Sequence, residues 1–215
     1  MQNPVSLFEH FNSLNIKLKI TFLDRFANCS HNFTGPMTRN LKIQESSGNA
    51  TKVIVLDINF SPSTHIFSGL GENFINLRIL FIAKQPIKFV ERQNFFGLQK
   101  LHQLSLYSNE IEFLHEDLLW DLPNLRILQL SDNRIMDLPG KLFMNLRDVG
   151  ELSFDRNLIK TLASNIFSNN FQLAWLYTYN NTLTTSGVNF TAIPNVRLYN
   201  ETSKSHFQRG KIVNY

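Results

Sequence analysis

One cysteine, Cys29, is all the chain carries in 215 residues. That excludes an internal disulfide framework and any zinc site built on cysteine pairs, and leaves a small, half-buried thiol as the reading of Cys29. Long apolar runs are missing too. No uncharged apolar window of roughly 18 residues occurs, so nothing reads as a membrane-spanning helix. The first 27 residues lack the form of a secretory signal, because Lys17 and Lys19 interrupt the only apolar stretch and no small-residue cleavage site follows it.

Spaced catalytic groups are absent as well. The six histidines, at positions 10, 31, 65, 102, 115 and 206, form no HExxH and no Cys/His pair, and neither a GxGxxG nor a GxxxxGK loop occurs. No catalytic residue, no metal ligand and no cofactor is expected, and the chain does not read as an enzyme. The net charge of +4 invites a nucleic-acid partner until it is divided along the chain. Residues 1–52 hold six Lys or Arg against three acids and residues 195–215 four against one, while residues 53–194 hold eleven against thirteen. A nucleic-acid binder gathers its basic residues on one face of the folded part. Here the excess sits in the flanks, and no nucleic acid is expected.

What is there is a folded chain with a repeat. A 43% hydrophobic and 18% charged composition is that of a globular protein. Stepping 24 residues from Leu56 meets Leu80, Leu104, Leu128, Leu152 and Leu176. Three places earlier run Val53, Leu77, Leu101, Leu125, Val149 and Leu173; two places later run Ile58, Ile82, Leu106, Leu130, Phe154 and Thr178. The same step then yields Gln85, Asn109, Asn133, Asn157 and Asn181, followed by Ile87, Ile111, Ile135, Ile159 and Leu183. Further on come Phe95, Leu119, Phe143 and Phe167.

Each series has a physical task. The Leu-x-Leu core alternates with period 2, so it predicts a short strand with one buried face. The asparagine suits the tight turn after the strand, where its amide bonds backbone groups that the bend leaves unpaired. The later Ile, Leu and Phe positions pack behind the strand, because a single unit cannot bury enough surface alone.

These residues resemble the leucine-rich repeat, and the segments between units are similar to those of Toll-type receptor ectodomains and small secreted insect proteins. The resemblance implies an α/β-type solenoid, a curved array with a parallel sheet on the concave face and irregular or short helical segments on the convex face. It divides the chain into an N-terminal flank (1–52), an array of about six units (53–194) and a partly disordered C-terminal flank (195–215). Terminal units depart from the pattern at Ser61, Gln85 and Thr178, and the last aromatic is displaced to Phe190. Extracellular members of the family usually close their ends with cysteine-rich caps, which a single cysteine does not supply. The alternation of residues 14–22, LNIKLKITF, predicts a capping strand over the open edge of the first unit instead.

Residues between and after the leucines point away from the core and form columns on the concave face. The first is Val55, Ile79, Gln103, Ile127, Glu151 and Trp175; the second is Asp57, Phe81, Ser105, Gln129, Ser153 and Tyr177; the third is Asn59, Ala83, Tyr107, Ser131, Asp155 and Tyr179. The ligand-binding candidates are Phe81, Gln103, Tyr107, Gln129, Glu151, Asp155, Arg156, Trp175, Tyr177 and Tyr179, since aromatics beside charges are the composition of binding hot spots. The same rings would equally serve to cover the last repeat or to meet the C-terminal flank.

Glycosylation sequons stand at Asn28, Asn32, Asn49, Asn180, Asn189 and Asn200, with a seventh at Asn59 compromised by Pro62. Random placement of 25 asparagines and 29 serines and threonines gives roughly three. The excess points to an extracellular recognition module for a protein or cell-surface ligand. Two rivals stand beside it: an intracellular adaptor of the same fold, favoured by the single cysteine and the missing leader, and a structural fragment without a ligand.

Overall fold

In a computed structural model of the chain, the described residues are 17–22, 29–31, 53–59, 64–66 and 69–183, with 188, 190, 193 and 195–199 beyond them. A Leu-x-Leu stretch of a few residues is too short to stand alone, and it becomes stable by pairing with identical stretches on both sides. The strands β1 (Lys17–Phe22), β2 (Cys29–His31), β3 (Val53–Asn59), β4 (Ile79–Ala83), β5 (Gln103–Ser105), β6 (Ile127–Gln129), β7 (Glu151–Ser153), β8 (Trp175–Tyr177) and β9 (Arg197–Tyr199) form one sheet in the order β2-β1-β3-β4-β5-β6-β7-β8-β9. From β3 to β9 every pairing is parallel. Together they make a leucine-rich-repeat solenoid with little helix.

The register is the one the 24-residue step predicts. Leu56, Leu80, Leu104, Leu128, Leu152 and Leu176 lie opposite one another on successive strands. All are fully buried, together with Leu77, Leu101, Leu125, Val149 and Leu173 behind them. Phe143 stacks on Phe167 with ring centroids 6.1 Å apart and planes 3° from parallel, so the later aromatic series packs coil on coil. Leu176 pairs with Leu198, a step of 22 rather than 24. The stretch counted with the C-terminal flank therefore begins with one more strand of the sheet. Thr178, in an apolar slot, is buried beneath that strand and its hydroxyl donates to the Tyr199 carbonyl.

The asparagine series bonds each coil to the one before it. Asn133 Nδ2 donates to the carbonyls of Leu106 (2.9 Å) and Leu130 (3.0 Å), and its Oδ1 accepts the Ile111 N–H at 3.1 Å. Asn109, Asn157 and Asn181 repeat the arrangement. Each amide thus satisfies three backbone groups that a tight turn would otherwise bury unpaired. Gln85, one methylene longer, still donates to the Ile58 carbonyl, but its Oε1 is buried without a partner.

The residue just before each of these amides, Lys84, Ser108, Asp132, Arg156 and Asn180, has φ between 52° and 59°. The corner is left-handed in five coils although none of the five is glycine. Among the described residues the convex side is built from irregular turns with one α-helical turn, Leu70–Asn73, and one 3-10 turn, Arg92–Asn94. A Cβ on Gly71 would lie 2.2 Å from the Phe96 carbonyl oxygen, so these two coils touch backbone to backbone. At the other end β1 runs antiparallel along β3 and occupies its outer edge, Leu18 opposite Ile58 and Ile20 opposite Leu56. Among the described residues no helix is long and apolar enough to cross a membrane.

Candidate binding surface

The strands place Phe81 on β4, Gln103 on β5, Gln129 on β6, Glu151 on β7, and Trp175 and Tyr177 on β8, all half-buried on the inner face. Tyr107, Arg156 and Tyr179 follow their strands by two or three residues and are also half-buried. Asp155 differs. It is 3% exposed, because Arg156 and Tyr179 close over it.

Arg156 is the hub of the C-terminal half. Its Nη1 donates to the Tyr179 hydroxyl at 2.7 Å and lies 2.8 Å from Asp155 Oδ2. That second contact lacks hydrogen-bond geometry, so Oδ2 has the opposite charge beside it but no donor. Asp155 Oδ1 accepts the Ser131 hydroxyl at 2.5 Å. The guanidinium carbon sits 5.9 Å from the Tyr107 ring centre and 5.6 Å from that of Tyr179, within cation–π reach of both. Desolvation works against the Arg156 charge, but Asp155, Tyr179 and Asp132 outweigh it and hold the guanidinium more firmly protonated than usual. Burial raises the Tyr179 hydroxyl, helped by Asp155; burial also raises Tyr177, helped by Glu151.

Two residues that the repeat spacing missed complete this half. Tyr177 stacks on Tyr199 with centroids 4.7 Å apart, Trp175 stacks on Tyr199 at 6.1 Å, and the Arg197 guanidinium lies 4.5 Å from the Trp175 ring centre. Arg197 and Tyr199 stand on β9, opposite Trp175 and Tyr177. The signal was present as the tetrapeptide VRLY, residues 196–199, but a unit two residues short puts it out of the 24-residue register. The rings of β8 do meet the C-terminal segment, and they remain half-exposed while doing so.

Between the bulky residues lies an open depression of about 350 Å³, with Tyr107, Tyr177 and Tyr179 among its walls and Ser131 and Ser153 among its lining. It exists because small buried serines alternate with large rings on neighbouring strands. Gln129, Glu151, Asp155 and Arg156 also line it, whereas Phe81 and Gln103 do not. Of the sequons, Asn180 is exposed at its left-handed corner beside Tyr179. Asn28, Asn32, Asn49, Asn189 and Asn200 lie outside the described residues. No three His, Cys, Asp or Glu side chains converge among the described residues. Chemically, the surface offers aromatic faces, carboxylates and an anchored guanidinium on a rigid backbone, which is equipment for binding.

Comparison with known proteins agrees with this architecture. A family model described as leucine rich repeat matches residues 75–135 and 123–183. The two matches overlap and together cover half of the chain. Among solved structures, the chain is similar to that titled "Crystal structure of TLR13-ssRNA13 complex", with a TM-score of 0.63 and 22% identity. That likeness covers 67% of this chain and 21% of the other, so the chain spans about a fifth of that neighbour's length. At this identity the likeness shows the fold. No curated relative matches the chain.

Proposed function

This chain belongs to the leucine-rich repeat family, and we propose that it is a non-enzymatic, extracellular recognition module that holds a protein or cell-surface ligand on the C-terminal half of its inner face. The repeat and the fold support a protein-interaction module. The finer reading is carried by one observation: Trp175, Tyr177 and Tyr199 stack as half-exposed rings on neighbouring strands, beside the anchored Arg156. Strands fixed by coil-to-coil asparagine bonds present these rings with little ordering entropy left to lose. The extracellular reading is supported by the sequon excess and by the exposure of Asn180.

The neighbour's title pairs it with ssRNA, but the depression here carries Glu151 and Asp155, which favours a protein over a polyanion. The test is a double substitution, Trp175→Ala with Tyr177→Ala, set against Phe81→Ser on the same face. Binding to a partner isolated by cross-linking at the cell surface falls by about tenfold or more in the double variant. In Phe81→Ser it changes less than twofold, and the thermal melts of both variants stay near the parent. Equal affinity of the double variant and the parent sinks the proposal. For the compartment, the chain expressed behind a signal peptide loses mass on endoglycosidase treatment; an unchanged mass favours the intracellular adaptor.

A further inference from the structure

The depression is acidic in a way its own residues do not answer. Glu151, half-buried in its lining, has neither a hydrogen-bond nor an ion-pair partner among the described residues. Asp155 beneath it keeps one buried carboxylate oxygen without a donor. Arg156, the one cation among the described lining residues, is already engaged by Asp155, Asp132 and Tyr179. The Arg197 guanidinium lies over the Trp175 ring, and among the described residues no ion pair joins it to Glu151.

Docking anything over this site removes water from Glu151. A neutral or anionic group would leave the carboxylate buried and unpaired, which is costly, whereas a cation would pair with it. The rings point the same way. Guanidinium groups already sit against Tyr107, Tyr179 and Trp175, so the aromatic faces of this half are used for cations three times within the chain itself. Tyr177 has Tyr199 on one side and, across the sheet on the other, only the small Ser153, which leaves room for a side chain between Tyr177 and Glu151.

We propose that this depression is a seat for one cationic side chain, lysine or arginine, of the protein that docks on the inner face. The inference rests on the reading of this half as a binding surface, and it adds the chemistry that selects the partner. A carboxylate and a tyrosine face together give an ammonium or guanidinium both a charge partner and a cation–π contact.

Panning a random peptide library against the full chain, followed by fluorescence polarisation of single peptides, tests it. Selected peptides carry Lys or Arg at one fixed position, and replacing that residue with norleucine weakens binding by about tenfold. Glu151→Gln gives the same loss and makes the norleucine replacement neutral, Glu151→Asp falls between, and Glu110→Gln, remote from the depression, has no effect. Circular dichroism melts accompany each variant, and an intermediate Glu151→Asp keeps the result interpretable if Glu151→Gln shifts its melt. Peptides that lack a basic residue, or that keep their affinity in Glu151→Gln while losing it in Tyr177→Ala, overturn the cation seat and spare the binding surface. Affinity that neither substitution touches, a failure to select any peptide, or a preference for an oligoribonucleotide overturns both.

Discussion

From β3 to β6 the inner face displays Val55, Ile79, Phe81 and Ile127; from β7 to β9 it displays Glu151, Trp175, Tyr177, Arg197 and Tyr199. The strands of both halves pair in the same parallel register, and their corners share the same left-handed conformation. The first half sets these apolar groups among uncharged Gln103 and Gln129 with one charge, Asp57, whereas the second is aromatic and charged. Because the frame does not change, the difference is written only in side chains that the frame does not need. Fold and inner-face chemistry are therefore separable in this molecule, and three measurements break or sharpen that separation.

The largest effect comes from attacking what the halves share. Asn157→Ala removes the bonds to the Leu130 and Phe154 carbonyls and to the Ile135 N–H. With those groups left buried and unpaired, urea unfolding shows a loss of about 3 kcal/mol. A loss below about 1 kcal/mol would mean that strand pairing and leucine packing hold the coils without the amides. A smaller change of opposite sign is expected at the start of the array. Gln85→Asn restores the amide length of the later corners, where the side chain donates to the carbonyls three and twenty-seven residues earlier, here Ile82 and Ile58, so stability rises by about 1 kcal/mol. If it falls instead, the first coil is shaped to the longer side chain and the frame is less uniform than its register.

The smallest effect separates the halves by pH. Ahead of the strands stand Arg78, His102 and Arg126 in the first half, and Gly150 and Ala174 in the second. Desolvation, followed by Arg126 and Arg78, lowers the His102 pKa from its ordinary 6.5. A group lowered on folding binds its proton more readily in the unfolded chain. Its contribution is complete above about pH 6.5 and is lost as the pH falls through the lower folded value. Thermal melts fall slightly over that window in the parent and less in His102→Gln; identical slopes would remove His102 as the cause.

How much of this was legible in the sequence follows from what dictates each residue. Leu104, Leu128 and Leu152 must be apolar and Asn109, Asn133 and Asn157 must be amides, because the coil cannot close otherwise; a constant spacing of 24 therefore exposes them. Thr178 departs from that rule only where β9 supplies a carbonyl for its hydroxyl. The site is less constrained and so less visible. Arg197 and Tyr199 were hidden by a unit of 22 residues. The burial of Asp155 depends on Arg156 bending across it, and the depression depends on bulk that Ser131 and Ser153 lack. Such facts belong to neighbours in space, which a periodic reading along the chain does not record.

The left-handed corner holds the same shape whether Lys84, Ser108, Asp132, Arg156 or Asn180 occupies it, at a backbone cost of about 1–2 kcal/mol that glycine would avoid. Since the buried ladder beneath is indifferent to which side chain leaves that corner, the five positions act as a row of interchangeable sockets along one rim. Rewriting the plugs in that row changes the chemistry of the rim without recutting a single interior leucine.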